Sequence, residues 1–113
     1  MSARLKKNFD FLRVLRKANV KQKKALIESA NKDLILCICE IVDNILAGTV
    51  KLSTKQKKDL TRYKRTLRQL IDRKVSIKRK KEIITNQKGG FLPAVLGPIL
   101  GIAASLVADQ LIK

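Results

Sequence analysis

The sequence has no histidine and no tryptophan, only two cysteines, and 9 acidic residues against 26 basic ones in a chain of 113. Each shortage excludes something. A zinc site draws on about four Cys, His or carboxylate ligands at suitable spacing, and this chain supplies no usual set. Cys37 and Cys39 stand two apart in a run with helical period, where they point to nearly opposite sides and cannot chelate one ion together. They read as small buried apolar side chains. No signal peptide is evident at the N-terminus, so nothing points to an oxidising compartment. No Gly-rich phosphate loop follows a strand, and no nucleophile sits in a recognised motif. A non-enzymatic protein with no metal and no cofactor is expected. One Tyr and three Phe are too few for a stacking platform on single-stranded nucleic acid.

What is present in excess is positive charge. The formal net charge is +17, far beyond what solubility needs, and self-repulsion on that scale opposes compaction unless a partner neutralises it. Such chains usually meet nucleic acid or an anionic membrane surface. The charge is uneven: 10 basic and 5 acidic residues in 1–50, then 15 basic and 3 acidic in 51–88, and after Gly89 only Asp109 and Lys113.

The hydrophobic period is helical almost throughout. Leu5, Phe9, Leu12 and Leu15 mark one face of a first helix. Asn19 and Gln22 have the spacing of a reciprocal cap for a second, with Val20, Ile27 and Ala30 on its inner face. The run "DLILCICEIVDNILAG" carries one narrow polar stripe (Asp33, Glu40, Asn44) and is otherwise apolar, which predicts a central core helix over 33–47 closed by Gly48. Ser53 and Gln56 cap a long fourth helix over 54–74, with Leu60, Tyr63, Leu67, Leu70 and Ile71 inward. Ser76 starts a fifth over 77–86, with Ile77, Ile83 and Ile84 inward and "KRKK" outward. The expected fold is all-α: a compact bundle of four or five short helices over residues 1–88, followed at 89–113 by a Gly-Gly joint and an apolar C-terminal helix.

On the fourth helix, Lys55, Lys58, Arg62, Arg65 and Arg73 fall opposite the buried stripe, and Lys57, Lys64 and Arg68 widen the arc. Ordinary solvated faces intersperse both signs, and this one does not. The predicted phosphate-contact set is Lys55, Lys58, Arg62, Arg65, Arg68, Arg73, Lys78, Arg79, Lys80 and Lys81. The surface lacks a cluster at one helix N-terminus suited to base edges. The expected partner is therefore double-stranded DNA, bound without sequence preference and with strong salt dependence. "KRKK" equally suits a nuclear import signal.

From Phe91 to Ala108 there are 18 residues without charge, the lower limit for a membrane-spanning helix. Pro93 and Pro98 interrupt the run, and Gly97, Gly101 and Ser105 form a small-residue row that permits close helix approach. Three readings stand open: a last core helix, a tail anchor, or a detachable or membrane-active segment. Gly89 and Gly90 give an extended joint that a protease can enter.

The order of features in "KRKKEIITNQKGGFLPAVLGPILGIAASLVA" resembles the C-terminal half of the adenovirus core peptide precursor (pX, the precursor of mu). It also resembles the small basic pX-like proteins of Polinton/Maverick elements and adintoviruses. The resemblance covers about residues 78–110. It implies a DNA-condensing basic part and a viral cysteine protease that cuts after the glycine pair, here Gly89 and Gly90, to detach the tail. Gln87 stands where that protease favours Met, Ile or Leu, and the N-terminal part is Lys-rich and helical where the adenovirus segment is Arg-rich and disordered. The resemblance thus implies a virion core or minor structural protein, found in the virion and host nucleus. Its tail (Phe91, Leu92, Val95, Leu96, Ile99, Leu100, Ile102, Leu106) would contact capsid protein or membrane. The alternative is a membrane-active or tail-anchored protein acting through that same segment.

Overall fold

In the computed structural model, residues 3–48, 51–85 and 96–103 are described, and among them there is no strand. The helices are α1 (Ala3–Lys17), α2 (Val20–Ser29), α3 (Lys32–Leu46), α4 (Thr54–Arg62), α5 (Lys64–Ile71), α6 (Ile77–Thr85) and α7 (residues 96–103). The Cα radius of gyration is 13.0 Å, close to the roughly 13 Å of a single compact domain of about this length.

Side chains in the sequence set the helix starts. Asn19 Oδ1 accepts from the Gln22 N–H at 2.8 Å, while Gln22 Oε1 accepts from the Asn19 N–H at 3.0 Å. Ser53 and Gln56 repeat this reciprocal cap at 3.1 and 2.8 Å. Ser76 Oγ accepts from the Arg79 N–H at 3.1 Å. Asn31 opens α3 by accepting from the Leu34 N–H at 2.9 Å. Each such cap contributes about 1 kcal/mol. Gly48, at φ +77°, adopts the left-handed backbone that lets the chain leave α3 without a Cβ clash.

α3 is the hub. Leu34, Ile35, Cys37, Ile38, Cys39, Ile41, Val42 and Ile45 are all buried, and α1, α5 and α6 pack against it. α2 lies on α1 and α6, and α5 lies on α6. Two expectations need correction. The predicted helix over 54–74 is two helices, because Tyr63 (φ −106°, ψ 14°) leaves helical geometry and its N–H turns back to the Leu60 carbonyl at 3.1 Å. No Pro or Gly stands there, and Leu60 on α4 and Leu67 and Leu70 on α5 are buried on both sides of the break. Val20 keeps the helical phase of Ile27 but is not buried with it. It sits at the first position of α2 and is exposed.

Leu96, Ile99, Leu100, Ile102 and Ala103 of α7 belong to the same hydrophobic core as α3. Leu100 meets Phe9, Leu12 and Arg16 of α1 around a small cleft. Of the readings open for the tail, its described part takes that of a core element covered by the bundle, as an uncharged segment gains most by burying against other apolar surface. A Cβ at Gly97 would meet nothing within 4 Å, and at Gly101 only the Arg16 guanidinium, at 3.9 Å. Among the described residues, no helix is long and apolar enough to cross a membrane. Gly89, Gly90, Phe91, Leu92, Val95 and Leu106 lie outside the described residues.

A polar clamp joins the first helix to the hub. Asp33, in the first turn of α3, accepts from Arg4 Nε at 3.0 Å and from Asn8 Nδ2 at 2.8 Å. The Asn8 hydrogen bond above all, with help from Arg4 and Lys7, holds its carboxyl below the usual 3.8. A depressed carboxyl pKa adds stability that is whole above the unfolded value and lost as pH falls through the folded one. Asp33→Asn should therefore lower the melting temperature slightly near neutrality and flatten its decline below pH about 4. Parallel acid limbs for the two proteins would show that the clamp contributes nothing through its charge.

Candidate nucleic-acid interface

Lys55, Lys58 and Arg62 recur along α4 at helical spacing and are exposed; Arg65 and Arg68 continue the series on α5, and Arg73 follows in the turn after it, all exposed. Residues 55 to 62 cover about 10 Å of α4 at 1.5 Å per residue. A duplex carries roughly six phosphate charges in that length. Leu60 is the fully buried residue of α4, so this helix is mostly surface. Lys55, Lys58, Arg62, Arg65, Arg68, Arg73 and Lys78 form no ion pair with another described residue. Asp72 is engaged by the backbone, accepting from the Lys74 N–H at 2.9 Å. Arg79 pairs with Glu82 at 3.2 Å with both side chains about half exposed, an arrangement worth only about 0–1 kcal/mol.

The "KRKK" block is divided. Lys78 and Arg79 are exposed, but Lys80 is 4% exposed, which corrects its place in the expected outward set. Lys80 Nζ donates to the carbonyl oxygens of Leu70 and, at 2.8 Å, of Asp72. These carbonyls lie at the end of α5, where free acceptors and the negative end of the helix dipole both favour a cation. Cys39 Sγ donates weakly to the same Leu70 oxygen at 3.7 Å. Lys81 is half-buried, and its Nζ reaches the Glu28 carbonyl near the end of α2 at 3.1 Å. Two of the four cations therefore fasten α6 to neighbouring helices, Lys80 from a buried position and Lys81 from a half-buried one. The sequence held the signal. Lys80 comes three residues after Ile77 and four before Ile84, so helical phase puts it on the inward face.

A second cationic group lies at the end of α1. Arg13, Arg16 and Lys17 border the cleft of about 120 Å³ that Leu100 closes, and the Arg13 guanidinium lies 5.9 Å from the Phe9 ring centre. Their i, i+3, i+4 spacing was visible in the sequence; the tail packed beside them was not.

Cys37 and Cys39 are buried free thiols. Burial first, with Glu40 and Asp33 adding, pushes the Cys37 thiol up from 9.0 to about 11. Burial also raises Cys39, with Lys80 opposing. A raised thiol pKa means that the native state favours the protonated form. That stability is whole below pH 9 and lost as pH climbs through about 11. Among the described residues, no group of three or more His, Cys, Asp or Glu is placed to hold a metal.

In comparison with known proteins, the chain matches no family model, no curated protein and no solved structure.

Two outcomes are expected. Lys80→Ala should lower unfolding free energy in urea by about 1.5–3 kcal/mol, the range for a lost hydrogen bond to a charged group. Lys58→Ala should change it by no more than about 0.5 kcal/mol. Equal effects would place Lys80 on the surface. At pH 8 both thiols should stay unreactive toward a chromogenic disulfide reagent until urea unfolds the chain. Fast reaction of the native protein would contradict their burial.

Proposed function

We propose that this chain is a non-enzymatic protein that binds double-stranded DNA through its phosphates, as a core or minor structural component of a virion. The observation that carries this reading is the exposed cationic row from Lys55 to Arg65 along α4 and α5, without ion-pair partners among the described residues. Arg68, Arg73, Lys78 and Arg79 extend it. Lys80 and Lys81 leave the contact set because their ammonium groups are engaged with carbonyl oxygens. The row runs along helix flanks and is rich in Lys, which suits backbone contact and not base reading. Counterion release from the phosphates supplies the driving force.

The resemblance of residues 78–110 to pX-like core proteins supports a place in the virion and host nucleus, with a viral cysteine protease and capsid protein as further partners. A tail-anchored or membrane-active role draws less support, because Leu96, Ile99, Leu100 and Ile102 lie inside the core. Processing after Gly90 would act on a tail whose described part is packed.

The full-length chain should bind a labelled duplex of about two helical turns by fluorescence anisotropy, with equal affinity for unrelated sequences. Six to ten phosphate contacts imply a loss of about 10³–10⁵ in affinity between 50 and 200 mM salt. Lys58→Ala with Arg62→Ala should reduce the salt slope by about 2 and leave the melting temperature unchanged. Affinity that barely moves with salt would overturn the reading.

A further inference from the structure

α1 and α2 present another surface, which shares no residue with the α4–α5 row. Phe11, Val14 and Val20 are large apolar side chains left exposed, at 36%, 58% and 39%. All three lie on α1 or at the start of α2. Phe11, Val14 and Ala18 follow one another at i, i+3 and i+7, so they form a stripe along one side of the first helix and its end. After the short turn at Ala18 and Asn19, α2 packs back on α1. Val14, Lys17, Ala18, Gln22, Ala25 and Leu26 line an open groove of about 530 Å³ between them. The space is there because positions 18 and 25 are alanines, while Val14 and Leu26 stand taller beside them. The volume lies within the roughly 300–1,000 Å³ typical of binding clefts.

The charge around this groove selects among occupants. Lys17 is the charged residue of the lining. Arg13 adjoins it on α1, and Lys21 lies one helical turn before Ala25 on α2. Asp10 shares a shallow neighbouring depression with Arg13, Val14 and Lys17, and Glu28 follows Ala25 by three residues, so the surround keeps a net positive charge. A second copy of this chain would bring another +17 and be repelled. A nucleic-acid backbone gains nothing from a floor of Val14, Ala18, Ala25 and Leu26. An amphipathic helix with a carboxylate-bearing flank fits both features: its apolar ridge fills the trough, and its acidic edge meets Arg13, Lys17 and Lys21.

We infer that the α1–α2 groove is a docking site for an acidic amphipathic helix of a partner protein. Binding there is independent of DNA contact on α4 and α5, so one molecule can hold both at once.

The probe is a synthetic peptide of about four helical turns, with Leu along one face and Glu along its flanks. Its control is an isomer of the same composition, shuffled to abolish the apolar face. Titrated into the full-length protein, the amphipathic peptide should bind in the micromolar range and shift the amide signals of Val14, Ala18, Ala25 and Leu26. Val14→Gln and Ala25→Leu alter exposed residues; the first removes the ridge and the second fills the trough. Each should weaken the peptide at least about tenfold, or about 1.4 kcal/mol, while duplex affinity stays within about twofold of the unsubstituted chain. Equal binding of the shuffled isomer would reduce the effect to net charge and overturn the proposal. So would undetectable binding of the amphipathic peptide, or sedimentation showing that the free chain dimerises through Val14.

Discussion

A helix that is apolar on nearly every side exists in water only when other helices enclose it, and α3 imposes that condition on the whole chain. Eight of its residues are buried, and burying each large aliphatic side chain gains about 1.5–3 kcal/mol. α1, α5, α6 and the segment 96–103 supply one stripe each toward the common core. Their remaining faces must take all the charge. With 26 basic and only 9 acidic residues to distribute, the outer surface becomes cationic as a direct result of enclosing the hub. α4 shows the limit of this division: one fully buried leucine and a surface otherwise left to polar and charged groups.

The lysines do not all have the same work. On α6, Lys80 and Lys81 place ammonium groups at the carbonyl ends of α5 and α2, where a cation is electrostatically welcome and otherwise free acceptors find donors. Lys78, in the first turn of the same helix, is exposed and has no such partner among the described residues. One short helix thus serves as fastener along one side and as open surface along the other. In a chain with so much like charge, placing two cations against helix ends turns part of the repulsion into attraction between elements.

Much of this was legible beforehand where the cause is local. The caps at Asn19 and Ser53 need only a side chain and a backbone group three residues apart, and both formed as their spacing implied. Gly48 is where the chain needs a left-handed residue, and the core role of α3 follows from its composition. Reading failed where the cause lies elsewhere in the molecule. No Pro or Gly in residues 54–71 marks a break, yet the helix is interrupted at Tyr63. The charge of Lys80 suggests the surface, whereas Ile77 and Ile84 bracket it at inward spacing. The burial of the tail depended on a partner surface on α1, more than eighty residues away in sequence, and no local pattern encodes that. For the cationic row, sequence and structure agree on position, since Lys55, Lys58, Arg62 and Arg65 all face outward.

The packing of residues 96–103 separates two properties that usually go together, chain continuity and physical attachment. Leu96, Ile99, Leu100, Ile102 and Ala103 are buried in the core, through contacts separate from the peptide bonds that lead to them. Were the chain cut between α6 and this segment, that packing would oppose immediate loss of the shorter piece. The shorter piece would then leave at a rate set by how often the bundle opens beside α1, so severing the backbone and surrendering the tail become distinct events with separate clocks. The molecule would behave as a receptor already occupied by its own former end, and any other apolar helix seeking that seat would first have to wait for it to be vacated.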